Sequence, residues 1–154
     1  MRIVLCLFAL IGLLYSQEIE GKVIKIYDGD TLNIIHKGKK ERVRLFGIDS
    51  PELKQDFGIE SRNNLRKLCK LNTTARVEVK DIDRYKRIVG IVYCNGIEVN
   101  ANQVKNGFAW AYRDYSKQYI KTENYARNLK RGLWKMKNPI EPRIWRKNNL
   151  KEQR

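Results

Sequence analysis

Apolar and polar residues alternate along the first half of the chain with the period of two that is typical of β-strands. Residues 23–27 and 32–36 are rich in β-branched and apolar side chains, and a short acidic turn separates them. In the next run, residues 42–45, two arginines alternate with two apolar residues. The pattern therefore predicts three strands, and it places Arg44 on the face turned away from the apolar core.

The second half of the chain combines the strand period of two with the helical period of about 3.6 residues. Two further strands are predicted over residues 75–80 and 87–93, and three helices over residues 59–70, 100–106 and 117–131. The inner face of the first helix is predicted to consist of Ile59, Leu65, Leu68 and Cys69. Five short strands with a helix after the third fit a small closed barrel of the oligonucleotide/oligosaccharide-binding (OB) type. We predict an α+β fold, mainly a five-stranded OB-fold barrel with three helices, although a generic α+β sandwich fits the periodicity too.

The first sixteen residues differ from the rest. After Arg2, residues 3–14 carry no charge, and this apolar run is too short for a membrane span but typical of a secretory signal. Cleavage is predicted after Ser16. Because Leu14 is larger than ideal for a cleavage site, an uncleaved anchor is one alternative, and a buried N-terminal helix of the fold is another. We expect a signal peptide over residues 1–16, one domain over 17–154, and a secreted or periplasmic protein.

The chain of 154 residues is strongly basic, with 32 Lys and Arg against 17 Asp and Glu and a net charge of +15. An excess of this size favours a polyanionic partner, with nucleic acid ahead of an anionic membrane or an acidic protein. The basic tail from about residue 146 is predicted to be a solvated end that adds electrostatic attraction.

Beyond the N-terminal segment, Cys69 and Cys94 are the two remaining cysteines. Either they form a disulfide, or both are small buried hydrophobic residues. For a chain sent to an oxidising compartment, we predict that they pair after export.

Two acidic turns bracket the second and third strands. Asp28-Gly29-Asp30 and Asp49-Ser50-Pro51-Glu52 each have the composition of an ordinary turn when taken alone. Together they could lie at one end of a barrel, where two carboxylates, a backbone carbonyl and water would make an oxygen-ligand site suited to Ca²⁺.

Two arginines accompany these turns. Arg44 precedes the second acidic turn on the same strand, and Arg87 follows the turn Asp83-Arg84-Tyr85-Lys86. A fixed guanidinium donates two hydrogen bonds to phosphate oxygens in a geometry that lysine cannot match. Most arginines in so basic a chain are solvated, and only the position of these two beside the turns favours a role in phosphate binding.

The combination of two acidic turns and two arginines resembles the staphylococcal nuclease family. The motifs that carry the resemblance are Asp28-Gly29-Asp30-Thr31, Arg44-Leu45-x-x-x-Asp49-Ser50-Pro51-Glu52 and Asp83-Arg84-Tyr85-x-Arg87. The resemblance continues through residues 99–112 and 126–134 and covers nearly all of the chain after residue 16. It implies a Ca²⁺-dependent phosphodiesterase that acts on DNA and RNA and leaves 3′-phosphate ends.

The resemblance also implies roles for single residues. Asp30 and Asp49 would bind Ca²⁺ through their carboxylates, and Ser50 through its backbone carbonyl. Glu52 would orient or deprotonate the attacking water, while Arg44 and Arg87 would hold the phosphate and stabilise developing charge.

Arg84, Tyr85 and Tyr112 would bind the substrate: Tyr85 would contact a phosphate or stack on a sugar or base, and Tyr112 would line the nucleotide pocket. Single-stranded or denatured DNA and RNA are the expected substrates, and a monomer without a stable protein partner is expected. One departure stands out: Lys86 occupies a position where the family usually has Gly, and a positive φ there would cost about 1 kcal/mol or more.

Two other interpretations compete with the nuclease. One is a non-catalytic nucleic-acid-binding barrel of the same fold, which predicts that catalytic groups are missing. The other is a basic membrane-surface protein, which leaves the acidic turns unexplained.

Overall fold

The structure is a computed structural model that describes residues 17–152, with side chains as far as residue 149. The predicted signal peptide over residues 1–16 lies outside the described residues. Within that part of the chain the strands are β1 (Glu18–Ile26), β2 (Thr31–His36), β3 (Lys39–Leu45), β4 (Ile48–Asp49), β5 (Thr74–Ile82), β6 (Ile88–Cys94), β7 (Ile97–Glu98) and β8 (Trp110–Ala111). The helices are α1 (Gly58–Leu68), α2 (Val99–Lys105), α3 (Ile120–Asn128) and α4 (Pro142–Glu152), with a 3-10 turn at Gly132–Lys135.

Five strands close into a barrel. The sheet runs in the order β3-β2-β1-β5-β6, and a parallel pairing of β3 with β6 joins its two edges. This confirms the predicted five-stranded barrel with α+β character, to which the chain adds one helix more than predicted. In the closing pair Arg44 lies opposite Val89, two residues beyond Arg87. The closure therefore brings the two predicted phosphate-binding arginines to the same end of the barrel.

Strand β1 is longer than predicted because its two halves pair with different partners. Residues 18–22 pair with β5 and residues 22–26 with β2. Exposed Glu18 and Glu20 alternate with buried Ile19 and Gly21, and this alternation holds as far as Val23, where a register shift in the pairing with β2 interrupts it. A side chain at Gly21 would meet the carbonyl oxygen of Ile35 at 2.7 Å, so the neighbouring strand leaves room only for glycine.

The barrel interior is apolar and the helices cover its open faces. Fully buried side chains come from the strands and from α1 and α2, including Val23, Leu32, Val43, Leu65 and Val104. The prediction that Ile59 faces inward in α1 is wrong, since its side chain is exposed. Ser61 takes that inner position because its hydroxyl donates to the carbonyl oxygen of Phe108 at 2.6 Å.

The C-terminal segment forms a helix where a solvated end was predicted. Pro142 is buried at the start of α4, and Trp145 is half-buried one turn later. Helix α3 is shorter than the predicted span of residues 117–131, because the chain turns at Lys130 with a positive φ of 49°. None of the helices in the described part of the chain is long and apolar enough to cross a membrane.

Cys69 and Cys94 form a disulfide that links the end of α1 to the end of β6. Both residues are fully buried in the barrel core. Of the two alternatives open to these cysteines, the structure has the bridged one.

Candidate active site

An open cleft of about 800 Å³ lies at the end of the barrel. On one side are the acidic turns before β2 and after β4, and on the other is the turn between β5 and β6. Nearly all of the predicted site residues line the cleft: Asp30, Arg44, Ser50, Glu52, Arg84, Tyr85, Arg87 and Tyr112. Asp49 is buried just behind them, with 2% of its surface exposed.

Asp30 is the most deeply fixed carboxylate of the site, with 1% of its surface exposed. Its Oδ2 accepts hydrogen bonds from the backbone N–H of Ser50 at 2.7 Å and from the Ser50 hydroxyl at 2.8 Å. Its Oδ1 accepts from the hydroxyl of Thr31 at 3.0 Å and forms an ion pair with Arg44. The two acidic turns are therefore joined directly through Asp30 and Ser50.

Arg44 joins the two buried aspartates. Its guanidinium pairs with Asp30 and donates from Nη2 to Asp49 Oδ1 at 2.9 Å and to the carbonyl oxygen of Ile48 at 3.2 Å. Its side chain is 16% exposed, so the fork lies at the floor of the cleft. The strand alternation predicted this direction correctly, since Val43 and Leu45 point into the core.

A buried amide fixes the first acidic turn from below. Gln103 on α2 is fully buried and donates from Nε2 to the carbonyl oxygens of Gly29 at 2.5 Å and Ser61 at 3.2 Å. Its Oε1 accepts from Asn64 at 2.5 Å. A Cβ at Gly29 would lie 1.8 Å from the Ser61 hydroxyl, so only glycine allows the turn to sit this close to α1.

A second buried amide fixes the segment between β3 and β4. Asn100 donates from Nδ2 to the carbonyl oxygens of Phe46 at 2.9 Å and Gly90 at 3.2 Å, and accepts from the N–H of Val92 at 3.0 Å. Because Phe46 follows Arg44 by two residues, this contact holds the end of the arginine-bearing strand against β6.

Asp28 also lines the cleft, although the sequence pointed only to Asp30 in this turn. Its Oδ1 accepts from the backbone N–H of Asp30 at 3.0 Å. Burial raises the pKa of the Asp28 carboxyl, and the charge of Arg44 and the hydrogen bonds from Thr31 only partly offset this. Asp28 shares its motif with Asp30, so the sequence carried the signal for it.

The opposite side of the cleft is the turn of residues 83–87. Asp83 organises it: Oδ1 accepts from the N–H groups of Tyr85 at 2.9 Å and Arg87 at 3.0 Å, and Oδ2 accepts from Arg87 Nε at 2.7 Å. Burial opposes ionisation of Asp83, but these hydrogen bonds and the Arg87 charge outweigh it and lower its pKa. Asp83 therefore sets the direction of the Arg87 guanidinium.

Lys86 adopts a φ of 60° in this turn. The turn thus has the backbone conformation that favours glycine, and Lys86 adopts it at a cost of about 1–2 kcal/mol. The Lys86 N–H still donates to the Asp83 carbonyl oxygen at 2.9 Å, so the turn closes despite the lysine.

Aromatic side chains flank the cleft on both sides. Tyr85 is 65% exposed, and the guanidinium groups of Arg84 and Arg87 lie 4.9 and 5.6 Å from its ring centre. The Tyr112 ring packs against Tyr115 in a tilted arrangement, with ring centres 4.8 Å apart and an interplanar angle of 49°. The Tyr112 N–H donates to the Gly47 carbonyl oxygen at 2.9 Å. Burial and the negative charge of Asp49 raise the pKa of Tyr112.

Arg146 of α4 is a site residue that the sequence did not reveal. It donates from Nη2 to Asp49 Oδ2 at 2.9 Å, and from Nη1 to Asp49 Oδ1 at 3.2 Å and Glu52 Oε1 at 2.9 Å. Burial opposes its charge, but the hydrogen bonds and charges of both carboxylates raise its pKa. No local signal separates Arg146 from the other basic residues of the C-terminal segment.

The carboxylates of the cleft are oxygen donors of the kind that a hard divalent cation binds. Asp30 and Asp49 are both buried, both bind the single guanidinium of Arg44, and therefore lie within reach of one centre. Within the described residues, no three Asp, Glu, His or Cys side chains form a group that could hold a metal ion. The predicted set needs only two carboxylates, completed by the Ser50 carbonyl and water, and oxygen donors of this kind suit Ca²⁺. The residues present fit such an ion.

A small barrel with carboxylates and guanidinium forks around one open cleft is suited to phosphodiester hydrolysis.

The sequence is similar to those of known nucleases. A family model described as staphylococcal nuclease homologue matches residues 42–136. The chain is 40% identical over 132 residues to an uncharacterised endonuclease of Escherichia coli. The aligned region covers 84% of this chain and 86% of that protein.

Two further relatives give the same result. An uncharacterised endonuclease of Haemophilus influenzae is 38% identical over 146 residues, or 93% of this chain and 82% of its own length. A micrococcal nuclease of Shigella flexneri is 37% identical over 143 residues, or 84% of this chain and 82% of its own. The chain therefore belongs to the staphylococcal nuclease family, and it is a nuclease, a hydrolase of phosphodiester bonds in nucleic acid.

Proposed function

We propose that this protein is a Ca²⁺-dependent nuclease that cleaves DNA and RNA and leaves 3′-phosphate ends. The observation that carries the proposal is the meeting of Asp30, Asp49 and Glu52 with Arg44 and Arg87 around one cleft. These residues come from separate strands and turns, yet they supply the carboxylates and guanidinium groups that phosphodiester hydrolysis needs.

Arg44 and Arg87 hold the scissile phosphate between them. Each presents a planar guanidinium that donates two hydrogen bonds to phosphate oxygens, and the extra negative charge of the transition state strengthens these bonds. Asp49 and Asp83 fix the two forks through contacts of 2.9 and 2.7 Å, so less side-chain entropy is lost when substrate binds.

Glu52 orients the attacking water and accepts its proton. Its carboxylate lines the cleft and is partly open to solvent, which is the environment that a general base acting on water requires. Its backbone is held on both sides by Gln55, whose Oε1 accepts from the Glu52 N–H at 3.2 Å and whose N–H donates to the Glu52 carbonyl at 2.8 Å.

Asp30 and Asp49 would hold the Ca²⁺ ion through their carboxylates, with the Ser50 carbonyl as a third oxygen ligand. When bound, the ion polarises a phosphoryl oxygen and neutralises developing charge. The hydrogen bonds from Ser50 to Asp30 keep the three ligand residues in one unit.

Arg84, Tyr85 and Tyr112 bind the nucleotides on either side of the reacting phosphate. An exposed ring such as Tyr85 stacks on unpaired bases, which favours single-stranded or denatured DNA and RNA. The net charge of +15 adds attraction that falls as salt rises.

The protein acts outside the cytoplasm as a monomer. The apolar segment of residues 3–14 supports export, and the Cys69–Cys94 disulfide supports an oxidising compartment. Fractionation of cells that express the full chain tests this: we expect the protein in the periplasm or medium, and retention in the cytoplasm would contradict export.

The reaction is tested with purified protein and denatured DNA or RNA. We expect cleavage with added Ca²⁺, loss of cleavage with a chelator, and products whose 3′ ends must be treated with a phosphatase before extension by a polymerase. Retained, salt-sensitive binding without Ca²⁺-dependent cleavage would contradict the proposal and favour a non-catalytic binding barrel.

A further inference from the structure

Helix α4 places a further arginine, Arg146, in the cleft. Arg146 lies 97 residues from Asp49 and 94 from Glu52 in the chain, and its guanidinium contacts both carboxylates at 2.9 Å. Asp49 is the proposed cation ligand and Glu52 the proposed base. Arg146 is thus the one residue in the described part of the chain for which hydrogen bonds to both are observed.

This contact differs from an ordinary surface ion pair. Asp49 is 2% exposed and the Arg146 side chain is 36% exposed, so the pair is shielded on the Asp49 side. Arg146 uses both Nη atoms on Asp49 and shares Nη1 with Glu52. A two-pronged fork of this kind fixes the direction of both partners, whereas a lysine ammonium would act as a point charge.

The start of α4 is tied to the same segment as Glu52. Gln55 accepts from the Glu52 N–H through Oε1 and donates from Nε2 to the Ile140 carbonyl oxygen at 2.6 Å. The side chain of Trp145 and Pro51, the residue before Glu52, line one small cavity of about 140 Å³. The chain around the start of α4 therefore meets the Glu52 segment through the Gln55–Ile140 hydrogen bond and the Arg146 guanidinium, beside the cavity that Trp145 and Pro51 line.

We propose that Arg146 is a positioning residue that fixes Glu52 relative to Asp49, which makes α4 part of the active site. The inference rests on the proposed function, in which Glu52 acts on the attacking water. A free Glu52 side chain, 36% exposed, would sample several rotamers. Arg146 holds one of its oxygens, so the other can point toward water at the phosphate.

The test compares Arg146→Ala and Arg146→Lys with Lys147→Ala, which removes the same charge from an exposed neighbouring position of α4. Cleavage of denatured DNA in Ca²⁺, thermal unfolding and Ca²⁺ binding by calorimetry are measured for each full-length protein. We expect kcat to fall about ten- to a hundredfold in both Arg146 variants, with KM nearly unchanged, because a misplaced catalytic group loses about this much. Lys147→Ala should match the wild type.

The calorimetric readout separates positioning of Glu52 from assembly of the cation site. Because Arg146 occupies Asp49 Oδ2, its removal should leave Ca²⁺ affinity equal to that of the wild type or higher. Unfolding temperatures close to the wild type are expected, since the described side chains of α4 lie outside the barrel core and Asp49 keeps its ion pair with Arg44.

Several results would overturn the inference. A wild-type kcat in Arg146→Ala would show no role in positioning, and a higher kcat would show that the contact inhibits the enzyme. Full rescue by lysine would show that charge alone matters, and a raised KM with unchanged kcat would indicate a contact with substrate. Weakened Ca²⁺ binding that accounts for the loss of activity would assign Arg146 to the cation site instead. A wild-type protein without Ca²⁺-dependent cleavage would instead overturn the proposed function and this inference with it.

Discussion

The two sides of the cleft are held in different ways. Contacts between residues far apart in the chain hold the acidic half, which consists of Asp28, Asp30, Asp49 and Glu52. Contacts within five residues hold the arginine turn opposite, which consists of residues 83–87. Ser50 reaches Asp30 across 20 residues, and Gln103 reaches the turn at Gly29 across 74. In the arginine turn, Asp83 binds only Tyr85 and Arg87 in the hydrogen bonds observed for its side chain.

Burial follows the same division. Asp30 and Asp49 are at most 2% exposed, while the Asp83 and Arg87 side chains are 20% and 27% exposed and Tyr85 is 65% exposed. The acidic half therefore depends on contacts from distant parts of the barrel, so a change at a distant residue such as Gln103 should displace it. The arginine turn depends on its own backbone, so local changes should alter it without unfolding the protein.

The largest effect is expected at the acidic half, in Glu52→Gln. The amide keeps the shape of the side chain but cannot accept a proton, so kcat should fall by about 10²- to 10⁴-fold while the fold persists. Steady-state cleavage of denatured DNA measures the fall, and urea unfolding checks the fold. Glu60→Gln, an exposed site on α1, is the matched control. Turnover near that of the wild type would remove Glu52 from the mechanism.

Stability should fall most when the buried amide under the acidic half is removed. Gln103→Leu leaves the carbonyl oxygens of Gly29 and Ser61 without their donor, and each buried unpaired group costs about 1–3 kcal/mol. We expect a lower free energy of unfolding in urea and reduced cleavage from the displaced turn. Gln118→Leu, at an exposed position, should stay within about 0.5 kcal/mol of the wild type. An equal loss in both variants would argue against a fixed acidic half.

A smaller, pH-dependent effect is expected in the arginine turn from Asp83→Asn. The folded-state pKa of Asp83 is lowered, so its ionised form stabilises the fold above the unfolded-state pKa. That contribution, about 1 kcal/mol for partly exposed groups, should disappear as pH falls through the lowered pKa.

Urea unfolding of wild type and Asp83→Asn across the acidic range measures this difference. The gap in unfolding free energy should be present at neutral pH and close in acid, with kcat reduced because Arg87 loses its partner at 2.7 Å. A gap that is constant with pH would show that the Asp83 charge is not what holds the turn.

The smallest effect, and the only stabilising one, is expected from Lys86→Gly. Glycine adopts the observed φ of 60° without the steric cost that lysine has, so the free energy of unfolding should rise by about 1 kcal/mol. Lys54→Gly, in an exposed turn without a positive φ, should not stabilise. A destabilised Lys86→Gly protein would contradict the strained turn.

The same division explains what the sequence could reveal. The barrel was predictable because the alternation of apolar and polar residues along its strands is a local pattern. The arginine turn and the aspartates could also be predicted, because they lie in short sequence motifs. Ile59 misled the prediction because apolar spacing does not reveal that Ser61 bonds to Phe108.

Arg146 could not be predicted in the same way. Its partners Asp49 and Glu52 lie more than ninety residues earlier, and it sits among basic residues that suggest a solvated end. Gln103 and Asn100 are similar cases, because a polar residue in a short helix gives no sign that it is buried beneath a turn. Contacts of this kind depend on the closed barrel, which local periodicity does not encode.

A crystal structure with Ca²⁺ and a short, hydrolysis-resistant single-stranded oligonucleotide would show whether both halves of the cleft act on one phosphate. We expect Ca²⁺ bound to Asp30 and Asp49, with a single phosphate that contacts the ion, Arg44 and Arg87 together. A phosphate bound by Arg87 alone, or an ion away from both aspartates, would contradict this expectation.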